Sequence, residues 1–442
     1  PELAPDDFAS WLPPDAAGGA AELAAAWRKG LEGAGLGAAE LRAVRDGVSW
    51  QLLTPGAASG APLDILPALG VPPGWDPAAD PDGASERVNG VTAGLLSLIG
   101  RGGDPLADRD HVLTAAVVLE HWRRGEDLDL ARLLASLSEP PMAALGALPV
   151  ESFYPRAERM KLVMGLNTLL ASPAFAAWTT GLPLDMEAIL GGPGAPKASI
   201  VSVAHLDERQ RSFIVALLAS ELVAWMRRQP ASAGLRALLY IDEVHGLLPP
   251  HPASPPTKGP LLTLLKQGRA FGVGAWLATQ NPVDLDYKAL GNAGVKLVGR
   301  LVTDRDRGRA LEGLGMRKLP DGRDAEAIVA GLGKREFLLA DVRAKAPAIT
   351  FASRWAMSYL RGPLTLVEMA PLLRRGPAAE AAPGVAASTV AGGGAPPPLG
   401  VAVPVRFAVA GRGRAVPRVL VRARVSVERA ALDLRREREE LW

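Results

Sequence analysis

The chain has 442 residues, and its 49 Lys and Arg nearly balance its 47 Asp and Glu, leaving a net charge of +2. It contains no cysteine, which excludes a disulfide framework, a thiol nucleophile, a cysteine zinc site and an iron–sulfur cluster, and suits a reducing, cytoplasmic setting. No charge-free apolar run reaches the roughly 18 residues of a membrane helix, since the longest candidate, Ser212–Met226, carries Glu221, so no membrane insertion is expected.

In chain order, Ala20–Gly30 and Ala38–Asp46 read as helices. Ser49–Leu53 alternates like a strand and ends on the turn signal Thr54-Pro55-Gly56. Residues 67–85 form a Pro/Gly/Asp loop, and residues 1–85 are taken as the first part of an α/β core. Residues 86–194 read as helices only: Glu86–Ile99, Arg109–Arg124, Leu128–Ser136 and Ala157–Leu170 each carry apolar residues at helical spacing. This segment is expected to be an all-helical subdomain inserted into the core.

The texture changes after that. Ala198–Ala204 is a β-rich run, and Asp207–Arg228 is an amphipathic helix with Ile214, Leu217, Leu218, Leu222 and Trp225 on its apolar face. Strands are expected at Leu235–Ile241, Val273–Thr279, Val295–Val302 and Arg335–Val342, and helices at Lys258–Ala270 and Asp304–Leu314. Such alternation implies a mostly parallel α/β sheet, so residues 195–375 are taken as the second part of the core. Residues 376–400 have the Ala/Gly/Pro composition of a flexible linker. Residues 401–442 hold ten arginines and five acids, a small module that reads equally as a phosphate-contacting or a solvated surface.

The chemistry concentrates in Leu238-Leu239-Tyr240-Ile241-Asp242-Glu243. An apolar strand ends in two carboxylates at its C-terminal edge, the edge at which open α/β sheets bind ligands. In a nucleoside triphosphatase the first carboxylate, here Asp242, holds Mg²⁺, mostly through water. The second, Glu243, activates the attacking water. The plainer reading is a strand that ends in two solvated acids. The next strand ends in Thr279-Gln280-Asn281-Pro282, where Gln280 could touch a γ-phosphate or the attacking water. Arg269, in Lys266-Gln267-Gly268-Arg269-Ala270-Phe271-Gly272, and Arg300, at the end of Val295–Arg300, are candidates for a charge-stabilising arginine. Either could equally complement a local dipole or stay solvated. No G-x-x-x-x-G-K-[ST] phosphate loop occurs; the glycine cluster Gly100-Arg101-Gly102-Gly103-Asp104 has no Lys-Ser/Thr after it.

Leu238–Gly246 and Pro260–Leu314, read together, resemble the HerA-like, FtsK-related ATP-binding proteins, the RecA-fold translocases of bacteria and archaea. The resemblance implies a RecA-like P-loop NTPase core and a homo-oligomer, a hexameric ring with DNA in its pore and ATP with Mg²⁺ between subunits. It extends to a nuclease partner. It assigns Asp242 and Glu243 to the Walker B pair, Gln280 to the sensor glutamine and Arg269 to an arginine acting across the interface. The missing Walker A loop departs from the family, where it lies just ahead of the region in which this chain begins. An N-terminally incomplete chain is therefore expected. The alternative is a catalytically inactive assembly or DNA-binding subunit without its own phosphate loop. Asp242-Glu243-Val244-His245 also spells a DExH box, but a helicase of that type needs a second RecA domain for which residues 376–442 are too short. His245 and His251 read as loop residues, and Trp122, Trp178 and Trp225 as core.

Overall fold

The computed structural model describes residues 3–9, 12, 19–72, 81–102, 105–192, 196–314, 318–319, 322–341, 343–344, 348–353 and 364–375. The expected linker at 376–400 and the arginine-rich module at 401–442 lie outside the described residues.

Helices α1 (Pro5–Ala9), α2 (Gly19–Glu32) and α3 (Ala38–Asp46) precede strand β1 (Ser49–Leu53), and a two-residue strand β2 (Leu63–Asp64) follows. Then come α4 (Pro81–Leu98), α5 (Arg109–Arg123) and α6 (Leu130–Ser138). The short strands β3 (Ala144–Leu145) and β4 (Leu148–Pro149) lead into α7 (Val150–Phe153) and α8 (Arg156–Ala171). Strand β5 (Leu182–Pro183) and helix α9 (Met186–Leu190) complete this part. The stretch is thus not purely helical. β2 and β5 pair in parallel, and β3 and β4 form a tight antiparallel turn. Two-residue strands leave no alternation in the sequence to read.

β6 (Lys197–Val201) pairs in parallel with β1, Leu53 opposite Val201, so strands from the two sides of the helical stretch are neighbours. Helix α10 (Glu208–Arg227) begins with a reciprocal capping box: the Asp207 carboxylate accepts from the Gln210 amide N–H, and the Gln210 side chain accepts from the Asp207 N–H. That satisfies two of the donors a helix start leaves orphaned. Arg227 sits in the last turn, where the helix dipole favours a cation.

β7 (Ala237–Ile241), α11 (Lys258–Gln267) and β8 (Val273–Leu277) come next, with β8 parallel to β7. After α12 (Tyr287–Asn292), β9 (Val295–Val298), α13 (Asp304–Leu314) and α14 (Ala325–Gly331), strand β10 (Glu336–Asp341) lies antiparallel between β9 and β11 (Ala348–Ala352). Helix α15 (Leu366–Arg375) is the last described element. The architecture is therefore α/β with parallel strand pairs and a helix-rich insertion, and the strand expected at 335–342 runs antiparallel.

One buried cluster joins the insertion to the strand region. It runs from Leu53, Leu113, Trp122 and Leu166 to Phe213, Leu222, Val244, Leu264 and Val273. Trp122, Trp178 and Trp225 are buried, as their helical spacing suggests, and Trp122 donates its indole N–H to the Leu69 carbonyl at 2.8 Å. Across the interface of α4 with α10, Arg87 and Glu221 form a buried ion pair of 2.6 Å, with the guanidinium 5.3 Å from the Trp122 ring centroid. A smaller cluster, including Leu319, Val329 and Leu338, lies beneath β10.

Candidate functional site

The parallel register of β7 and β8 sets Ile241 opposite Leu277, so both strands end at the same edge. Two cross-strand bonds carry the pairing one step further: Ala278 N–H donates to the Ile241 carbonyl and Val244 N–H to the Ala278 carbonyl, both at 2.9 Å. Asp242 and Glu243 therefore share an edge with Thr279 and Gln280. Asp242 and Gln280 are exposed, and Glu243 is half-buried.

Glu243 has a φ of +56°, in the left-handed region. For a residue with a side chain this costs on the order of 1–2 kcal/mol and persists only where neighbours impose it. The neighbour is Val244, which is fully buried; Leu247 and Leu248 behind it are buried as well. The Glu243 carboxylate accepts a hydrogen bond from the Thr279 hydroxyl at 3.4 Å. Asp242 accepts one from the Tyr240 hydroxyl, also at 3.4 Å, and Tyr240 meets Trp276 edge-on with centroids 6.2 Å apart.

The loop after the carboxylates is held in several places. His245 pairs through Nδ1 with Asp284 at 3.1 Å, Thr257 donates to the Leu247 carbonyl at 2.6 Å, and Lys258 pairs with Asp286 at 2.8 Å. Burial by itself would lift the Asp286 carboxyl; hydrogen bonds from Lys258 and from the Lys288 amide outweigh it and hold the group below its ordinary value. His245 thus stands in the loop, as expected.

The two arginines stand elsewhere. Arg269 lies in a short 3₁₀ turn (Gly268–Phe271) ahead of β8, so it is at the opposite end of that strand from Gln280. Five strand residues span roughly 17 Å, which removes Arg269 from its own chain's carboxylates. Arg300 follows β9 and is exposed. Neither arginine forms an ion pair among the described residues. Thr279, His245–Asp284 and Tyr240 acquire their contacts only in the fold. Thr279 had one sequence signal, its place beside Gln280, while His245 and Asp284 are 39 positions apart.

The donor set suits magnesium in one respect. Mg²⁺ keeps most of its waters and takes one or two protein carboxylates besides phosphate oxygens, and Asp242 offers one exposed carboxylate at the strand edge. Among the described residues no cluster of three or more His, Asp or Glu could enclose a metal without a nucleotide. Bound there with a nucleotide, the ion would neutralise phosphate charge.

No family model matches the chain, and no curated protein matches it. Among solved structures it is similar to VirB4 of Thermoanaerobacter pseudethanolicus, at 12% identity over 72% of this chain and 85% of that one, TM-score 0.46. It is also similar to the bacterial conjugative coupling protein TrwB, at 13% identity over 73% and 82%, TM-score 0.41. The genome-packaging NTPase B204 of Sulfolobus turreted icosahedral virus 2, solved with ATP-gammaS, matches at 15% identity over 39% and 73%, TM-score 0.28.

Proposed function

We propose that this chain is the ATP-hydrolysing subunit of an oligomeric DNA translocase with a RecA-like core of the HerA/FtsK kind. The observation that carries the reading is the shared strand edge: two carboxylates ending β7 and a glutamine ending the parallel neighbour β8, locked by two backbone bonds across the strand ends. A magnesium-bound triphosphate at that edge would meet Asp242 through its metal, Glu243 through the attacking water and Gln280 through the γ-phosphate.

This reading requires a phosphate-binding element other than a G-x-x-x-x-G-K-[ST] loop within these 442 residues, since none occurs in them.

Glu243→Gln keeps the shape and removes the base. In the protein as its source expresses it, this change should leave ATP binding intact and lower hydrolysis by about 10²–10⁴-fold. Equal turnover in the two proteins overturns the assignment. The missing phosphate loop favours one second reading, an assembly or DNA-binding subunit without turnover. It predicts salt-sensitive DNA binding that ignores ATP.

A further inference from the structure

We infer that Thr279 is a positioning residue for Glu243, an assignment that rests on the reading of Glu243 as the base. The inference starts from a hydroxyl with both of its roles occupied. The Asn281 amide N–H donates to Thr279 Oγ1 at 3.2 Å, which uses the oxygen as an acceptor. A threonine hydroxyl has one hydrogen to give, and Glu243 Oε1, at 3.4 Å, receives it. The hydroxyl is thereby oriented from behind by its own turn and points at the carboxylate.

The glutamate backbone is fixed on both sides. Ala278 N–H reaches the Ile241 carbonyl before it, and the Val244 N–H reaches the Ala278 carbonyl after it. Between these bonds Glu243 adopts φ +56°, and its carboxylate meets the Thr279 hydroxyl just past the end of β8. What the backbone leaves free is rotation about the side chain's own bonds, and Thr279 is the group that restrains it. Both residues are half-buried, so the pair is neither open to bulk water nor sealed from a ligand at the edge. Thr279 also precedes Gln280 directly, so the group that holds the base and the group that meets the phosphate belong to one turn.

Thr279→Val keeps the branched shape and removes the hydroxyl; Thr279→Ser keeps the hydroxyl and loses the methyl group. With the positioning role, Thr279→Val lowers kcat about tenfold to a hundredfold, as a misplaced catalytic group does, and leaves the KM for ATP unchanged. Thr279→Ser restores kcat. A second readout does not need turnover: in protein labelled with ¹³C at the glutamate carboxyl, the Glu243 resonance is the one absent from Glu243→Gln. It should move in Thr279→Val and return in Thr279→Ser. A Glu243-dependent turnover that ignores Thr279→Val, or a Glu243 resonance that stays in place, overturns this inference alone. Turnover that survives Glu243→Gln overturns the underlying reading.

Discussion

At the scale of single residues, two buried carboxylates respond to pH in opposite directions. Burial pushes the Glu221 carboxyl above its ordinary 4.5, with Arg87 opposing the shift. A raised carboxyl contributes stability at low pH and loses it as pH climbs through the raised value. The stability of wild type relative to Glu221→Gln should therefore fall as pH rises from below 4.5. Asp286 is held below its ordinary 3.8, so its contribution is present above that value and lost on acidification; Asp286→Asn should flatten the acid limb. Denaturant titrations across pH read both. Glu221→Ala is the harsher change. It leaves the Arg87 guanidinium buried without a counter-charge, and breaking such a pair costs about 3–5 kcal/mol. A loss within 1 kcal/mol would show that Arg87 escapes to solvent. These pairs explain why single residues were only partly legible in the sequence. Asp242, Glu243 and Gln280 stand out as candidates because they follow apolar strands. Arg87 and Glu221 are 134 positions apart, and no local pattern marks them.

At the scale of elements, the hydrophobic period carried most of the information. Strands β1, β6, β7, β8, β9 and β10 and helices α5, α8 and α10 all fall where apolar spacing places them, within a few residues. β11, with Ile349 and Phe351 both exposed, lacks the in-and-out burial that makes a strand legible, and β2 to β5 are too short to show any. The sheet is where the burial pattern departs from expectation. A strand in a parallel sheet is usually covered on both faces, yet Leu238, Tyr240 and Trp276 on β7 and β8 are 49–56% exposed. Their partners on the other face, Leu239, Ile241 and Leu277, pack on the core. The exposed side should therefore bind a hydrophobic dye such as anilinonaphthalene sulfonate. Replacing Tyr240 and Trp276 together by Thr keeps strand propensity and should lower that fluorescence. The cost in unfolding free energy should stay near the 0.5–1.5 kcal/mol, roughly, that an aromatic pair contributes. Undiminished fluorescence would place the dye elsewhere.

At the scale of the whole molecule, the position of Arg269 bears on the assembly that the proposed function requires. The carboxylates and Gln280 lie at the C-terminal ends of β7 and β8, and Arg269 lies before the start of β8. An arginine at the far end of a strand cannot reach its own chain's γ-phosphate. On the proposed reading, any effect it has on hydrolysis would be exerted on a neighbour's site, where such a group is worth about 10³–10⁵ in rate. This gives a mixing experiment a definite outcome. Arg269→Ala and Glu243→Gln proteins should each be inactive as homo-oligomers, one lacking the arginine at every interface and the other lacking the base. When the two are mixed and allowed to exchange, an interface between an Arg269→Ala subunit and a Glu243→Gln subunit can combine the intact glutamate of the first with the intact arginine of the second. Turnover should reappear and peak near equal proportions. If both groups serve the same chain's site, no mixed oligomer contains a complete site and no proportion restores activity. Arg300, exposed after β9 rather than ahead of β8, is the control. Should Arg300→Ala complement Glu243→Gln while Arg269→Ala does not, the interface arginine is Arg300.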